Sequence, residues 1–147
     1  MSESQLVHGT CVMIGDTGVL LRGPSGSGKS DLAVRLIDGG ARLVSDDQTR
    51  MLRVADRIIA SAPPTIAGFI EVRGIGPVPM ETEEGVWLRL VVDLRPSREI
   101  ERLPEETGTT LLGMRLPLVM IDPFTASAAA KVRLAVRLVA SHRMLPS

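Results

Sequence analysis

The chain has 147 residues, 44% of them apolar, with 17 Lys and Arg balanced against 17 Asp and Glu. That length and apolar content fill one core, so a single domain over residues 1–147 is expected and a protein of the disordered-tail class is excluded. Zero net charge and only two Phe, one Trp and no Tyr disfavour a general phosphate-backbone binder or a base-stacking platform, and the single cysteine, Cys11, rules out an intramolecular disulfide or a thiolate zinc cluster.

From the N-terminus, Met1 to His8 has no cationic stretch followed by an apolar one. Later apolar runs are broken by Arg, Lys or Pro short of the roughly 20 residues that cross a bilayer. The expectation is a soluble, cytoplasmic protein with neither a membrane nor a nucleic-acid partner. Cys11 to Ile14 and Gly18 to Arg22 are predicted as strands joined by a turn at Asp16-Thr17. A Gly-rich loop follows, and from Lys29 the residues Leu32, Ala33, Leu36 and Ile37 recur at helical spacing until Gly39-Gly40.

Ala41 to Val44 reads as a buried strand ending on Ser45-Asp46-Asp47, and in a strand-helix-strand unit such a strand commonly lies close to the first. Met51 to Val54 and Ile58 to Ser61 read as a hairpin turning at Asp56-Arg57. Thr65 to Val72 fits strand or loop, and Gly74-Ile75-Gly76-Pro77 reads as irregular. Val86 to Leu94 and Leu118 to Ile121 are predicted strands that contain or precede Asp93 and Asp122. From about Thr125 to His142 a long helix is expected, with Ala130, Leu134, Leu138, Val132, Val136 and Val139 as one apolar stripe and Lys131, Arg133 and Arg137 on a solvated face.

Gly23-Pro24-Ser25-Gly26-Ser27-Gly28-Lys29-Ser30 matches G-x-x-x-x-G-K-S in full, after a strand and opening a helix. The chemistry needs these residue types. Glycines let the backbone wrap with its N–H groups inward, the helix N-terminus adds positive charge, Lys29 reaches the β- and γ-phosphates, and Ser30 offers a hydroxyl to Mg²⁺. Nucleotide triphosphate binding is therefore the expectation. A second group must hold metal or take a proton from an acceptor, and Asp46-Asp47 is the best placed pair. In an extended chain the two would face opposite ways, one toward metal or acceptor and one serving structure. Asp93 after Leu90-Val91-Val92 is the runner-up metal residue, and Asp122 before Pro123 reads as a turn or helix-cap residue. Alternation puts Glu71 and Arg73 on one face, where they could pair with each other or address Mg²⁺ and phosphate. On composition alone His8 is an ordinary surface residue.

Taken together these residues resemble the catalytic domain of HPr kinase/phosphorylase, a bacterial enzyme that phosphorylates a serine of the phosphocarrier protein HPr. The likeness runs over nearly the whole chain: His8 before the first strands, Gly23 to Ser30, Arg42-Leu43-Val44-Ser45-Asp46-Asp47, and Ile70-Glu71-Val72-Arg73-Gly74-Ile75-Gly76. It implies an α/β fold of the HPr kinase and phosphoenolpyruvate carboxykinase type, a mixed sheet with a P-loop helix and a C-terminal helix. It also implies ATP and Mg²⁺ as cofactors, HPr as protein substrate within the phosphotransferase system, and a homo-oligomer, a hexamer in the family.

Carried onto this sequence, the resemblance makes Asp47 the proton acceptor, Lys29 a phosphate-binding catalytic residue and His8 a catalytic histidine. Ser30 and Glu71 become the Mg²⁺-associated pair, with Asp46 beside them. Arg102 is the better match to the family's catalytic arginine, with Pro104 where a glycine is usual, and Arg98 is the other candidate. The resemblance leads to the expectation of a short form without the family's additional N-terminal domain. At Pro123-Phe124-Thr125-Ala126-Ser127-Ala128 both arginines of the family's dephosphorylation stretch are missing, so the resemblance carries the kinase reaction and not the phosphorylase one. A small-molecule kinase, with Arg95-Pro96-Ser97-Arg98 as a lid, and a non-catalytic ATP-binding sensor are the alternative functions.

Overall fold

A computed structural model describes residues 4–105 and 107–141. Nine strands form one mixed sheet: β1 (Ser4–His8), β2 (Thr10–Ile14), β3 (Thr17–Arg22), β4 (Arg42–Ser45), β5 (Gln48–Val54), β6 (Arg57–Ser61), β9 (Val86–Leu94), β10 (Thr107–Leu111) and β11 (Met114–Ile121). Two more, β7 (Phe69–Val72) and β8 (Gly76–Pro79), pair as a separate hairpin, and the helices are α1 (Lys29–Asp38) and α2 (Ala128–Ala140).

The sheet runs β1-β5-β6-β9-β3-β2-β4, and it branches at β9. The first half of β9 pairs with β6, while its last residues pair with β11 on that side and with β3 throughout. Strands β3, β9 and β11 are parallel, and β4 points the same way because it is antiparallel to β2, which is antiparallel to β3. All four therefore end at one rim. This corrects the expectation that β4 lies close to β3: the β2-β3 hairpin folds back first, so β2 occupies the space between them. Its consequence is still the one the sequence suggests, because Gly23, Asp46, Asp93 and Asp122 all fall at the carboxyl ends of like-directed strands, where open α/β sheets bind ligands.

Two apolar layers sandwich the sheet. On one face α1 (through Leu32, Ala33 and Leu36) and α2 (through Ala128, Val132, Ala135, Val136 and Val139) cover Val19, Leu21, Leu90 and Val92. On the other, Cys11, Leu20, Val91, Met51, Ile58, Leu111 and Leu116 form a second cluster, where the sheet curls over itself. An extra residue in β9 between the partners of Gly18 and Val19 switches its facing pattern, so Leu88 joins one layer and Leu90 the other. At the start of β9 the guanidinium groups of Arg57 and Arg89 lie over the Trp87 ring, 3.9 and 4.6 Å from its centroid.

Cys11 is fully buried, and loss of solvation pushes its thiol up to about 12. We expect the folded protein to resist a thiol reagent at neutral pH, with labelling no faster than opening of the core. Immediate labelling of the native protein would contradict this burial.

Three further expectations need correcting. The α2 stripe is two stripes: at 3.6 residues per turn Ala130 and Val132 lie about 160° apart around the axis, so Val132, Val136 and Val139 are buried while Leu134 and Leu138 are 51% and 40% exposed. Arg133 is not on a solvated face, because its guanidinium is half-buried and donates to the Arg35 carbonyl near the end of α1. Gly76-Pro77 belongs to β8, since a strand of a two-stranded hairpin has a free edge and proline need not donate there. The His142 end of the predicted helix lies outside the described residues.

Candidate active site

The loop Gly23 to Ser30 leaves β3 and enters α1 through Gly28, whose φ of 100° is left-handed. A side chain there would be strained in backbone and would meet Pro123 Cγ at 3.1 Å. Among the described residues no side chain caps α1, and the N–H groups of its first turn lie at the loop, the arrangement that suits an anion. Lys29 is buried, and its ammonium donates to the carbonyls of Gly23 at 2.7 Å and Pro24 at 3.0 Å. The Lys29 ammonium closes the loop on itself and is a charge the loop can offer to phosphate.

Asp46 lies opposite the start of α1. Its Oδ1 accepts from the hydroxyls of Ser30 at 2.8 Å and Thr10 at 3.0 Å, and its Oδ2 accepts from the amide of Glu71 at 3.0 Å. Buried and triply hydrogen-bonded, this carboxylate joins the P-loop helix, β2 and β7. The extra residue of β4 between the partners of Cys11 and Val12 helps aim it there.

Asp47 points elsewhere, through a turn and not through extended alternation. Its φ is 65°, and the amide of Gln48 donates to the Asp46 carbonyl at 2.7 Å, an i to i+2 bond that closes a tight turn around Asp47. A non-glycine residue in that conformation costs roughly 1–3 kcal/mol and needs surroundings that over-determine it. Here the Asp47 amide donates to Thr10 Oγ1 at 3.1 Å and its carbonyl accepts from the Gly9 amide at 2.8 Å. The carboxylate, 63% exposed, meets His8 Nε2 at 2.9 Å. The structure brings His8, Lys29, Ser30, Asp46 and Asp47 to one rim together with Thr10, a residue that nothing in its local sequence marks.

Of the other predicted residues, Glu71 joins this cluster through its backbone alone and the rest sit apart from it. Glu71 is reached through its backbone, and its exposed side chain makes no ion pair with Arg73 among the described residues. Arg102 is exposed and lines a neighbouring cavity of about 310 Å³ together with Asp122 and Lys131. Asp122 is held below the usual carboxylate range by the Ser97 hydroxyl and the amides of Phe124 and Ser97. That bond pins the Arg95-to-Arg98 segment, which forms a short 3-10 turn (Ser97–Glu99) and not an open lid.

Asp93 is corrected as a metal candidate: Arg22 Nε and Nη2 engage both its oxygens, at 2.7 and 3.1 Å. The pair lines a cavity of about 300 Å³ beside Gly23 and Pro24. Arg22→Met would strand a carboxylate that is only 14% exposed; we expect roughly 2–4 kcal/mol of lost stability in urea unfolding, with ATP affinity little changed.

Among the described residues no three His, Cys, Asp or Glu side chains gather into a metal cage. The hydroxyl-carboxylate pair of Ser30 and Asp46 nevertheless fits Mg²⁺, which takes one or two protein oxygens and completes its shell with water and phosphate. Because Ser30 donates its proton to Asp46, its lone pairs stay free for a cation.

A family model described as the HPr Serine kinase C-terminal domain matches residues 1–142. An HPr kinase/phosphorylase of Burkholderia lata is 38% identical over 127 residues, 79% of this chain and 39% of the relative. One from Chlorobium phaeobacteroides is 36% identical over 132 residues, 82% of this chain and again 39% of the relative. The chain thus spans about 39% of the length of these curated relatives. The solved structure of the Hpr(Ser) kinase/phosphatase from Coxiella burnetii superposes with a TM-score of 0.82 at 25% identity, covering 95% of this chain and 96% of that one.

Proposed function

The chain belongs to the HPr Serine kinase C-terminal domain family, and from that membership we propose that it transfers the γ-phosphoryl group of ATP to a serine of HPr. The observation that carries the proposal is the division of labour between adjacent aspartates. Asp46 is turned in on the P-loop serine, and Asp47 is turned out, exposed and paired with His8.

In this mechanism the loop amides, the first N–H groups of α1 and Lys29 bind and orient the phosphates, exchanging the ammonium's carbonyl partners for phosphate oxygens. Ser30 and Asp46 would hold Mg²⁺, which when bound neutralises charge on the phosphates. Asp47 takes the proton of the acceptor serine as that oxygen bonds to phosphorus. His8 fixes the carboxylate's orientation. An ordinary carboxylate suffices as base, because the hydroxyl proton becomes acidic as the new bond forms. Glu71 and Arg102 keep the metal-associated and catalytic roles that the family resemblance gives them, and the hexameric assembly rests on that resemblance too.

We assign the kinase direction. The segment after Asp122 lacks arginines, and its Pro123 and Thr125 carbonyls are occupied by the Arg35 guanidinium from α1. The test is mass spectrometry of HPr after incubation with the chain and Mg·ATP, repeated with phosphorylated HPr and inorganic phosphate. One phosphate on an HPr serine in the first arm, and its retention in the second, is the expected result. ATP binding without transfer would favour a sensor, and transfer to a metabolite alcohol instead would favour a small-molecule kinase.

A further inference from the structure

We infer that Thr10 is a positioning residue for phosphoryl transfer, a single hydroxyl that holds the proposed base in its strained turn and ties it to the P-loop side of the site. The inference rests on the kinase function proposed above. Thr10 is completely buried at the start of β2. Its one hydroxyl proton goes to Asp46 Oδ1 at 3.0 Å, which leaves its oxygen to accept the Asp47 amide at 3.1 Å. The proton that Ser30 shares with Asp46 lands on the same Oδ1 atom. The two aspartates are thus joined through Thr10, and two hydrogen bonds in series connect the carboxylate that contacts Ser30 to the backbone that aims the base.

The direction of each bond matters. Asp46 has no proton to give, so Thr10 must donate to it; the Asp47 amide has only a proton to give, so Thr10 must accept. A valine has Thr10's shape and can do neither. Asp47 has a φ of 65°, so its amide is fixed by this hydroxyl and not by a strand ladder. When a cation engages Ser30, Asp46 Oδ1 can lose one donor, and Thr10 then remains as the donor from β2 that keeps Asp46, and through it the Asp47 turn, in place. Without it the turn can relax toward ordinary backbone angles and swing the Asp47 carboxylate away from the acceptor.

The expected signature separates positioning from bulk stability. Thr10→Val should lower kcat for HPr phosphorylation by roughly 10- to 100-fold, the loss typical of a misplacement near 1 Å, with the KM for ATP within about twofold. Thr10→Ser, which keeps the hydroxyl, should restore kcat to within about threefold. Independently of activity, amide hydrogen exchange at Asp47 should accelerate in Thr10→Val and stay slow in Thr10→Ser.

Transfer by Thr10→Val within about twofold of the parent chain, or unchanged Asp47 exchange, overturns the inference. If Thr10→Val does not fold, Thr10→Ala takes its place in the same comparison. If neither folds while Thr10→Ser does, Thr10 is a structural residue and the inference is overturned as well. Failure of the parent chain itself to phosphorylate HPr defeats the functional proposal, an outcome distinct from all of these.

Discussion

Asp47→Asn is expected to slow transfer to HPr by roughly 10²- to 10⁴-fold, the range a positioned general base contributes, while ATP affinity stays within about twofold. Asparagine is the informative replacement. It keeps the size of the side chain, can still meet His8, and tolerates the left-handed backbone that Asp47 adopts at a φ of 65°. What it loses is the ability to take a proton. Affinity should be spared because, among the described residues, Asp47 bonds to His8, Gly9 and Thr10 and not to the loop Gly23 to Ser30. Calorimetric titration with ATP beside steady-state transfer separates the two quantities. Full activity of Asp47→Asn would remove Asp47 from the mechanism.

Lys29→Met should damage both quantities. The methionine fills the buried stem's space but brings no charge and no donor, so the phosphates lose the loop's own cation and the Gly23 and Pro24 carbonyls lose their partner. We expect transfer to fall by roughly 10²- to 10³-fold, as when a single preorganised donor to developing charge is removed, with ATP binding clearly weakened as well. Lys29→Arg is not expected to rescue, since a planar fork does not fit the space of an ammonium that is 6% exposed between two loop carbonyls. ATP binding equal to that of the parent chain would mean that this loop does not cradle phosphate.

The parts of the site that the sequence reveals are those built from neighbours along the chain. A strand, a Gly-rich loop and a helix from Val19 to Leu36 are contiguous, and Asp46-Asp47 follows at the next strand end, so the rim could be drawn in advance. Contacts that join distant segments could not. Thr10 reaches Asp46 across 36 positions and the Glu71 amide reaches it across 25, and neither residue type announces such a bond.

The missed elements have a common cause. β1 and β10 are edge-like strands made largely of polar residues, Ser4-Gln5-Leu6-Val7-His8 and Thr107-Gly108-Thr109-Thr110-Leu111, and their ladders with β5 and β11 supply what their side chains do not. The stripe of α2 departs from expectation for a different reason. Its sequence carries apolar residues on two opposite sides, and only packing against α1 and the sheet decides which side is interior.

The placement of Trp87 beneath the guanidinium groups of Arg57 and Arg89 has a practical consequence. The chain's only indole stands at the opening of β9, six residues and so about 20 Å along the strand from Asp93 at the rim. Its fluorescence will register collapse of the sheet and remain silent when a nucleotide settles on the loop. For Thr10, Lys29 and Asp47 variants alike, an unchanged emission spectrum therefore certifies an intact scaffold, so that any lost turnover is traceable to the rim.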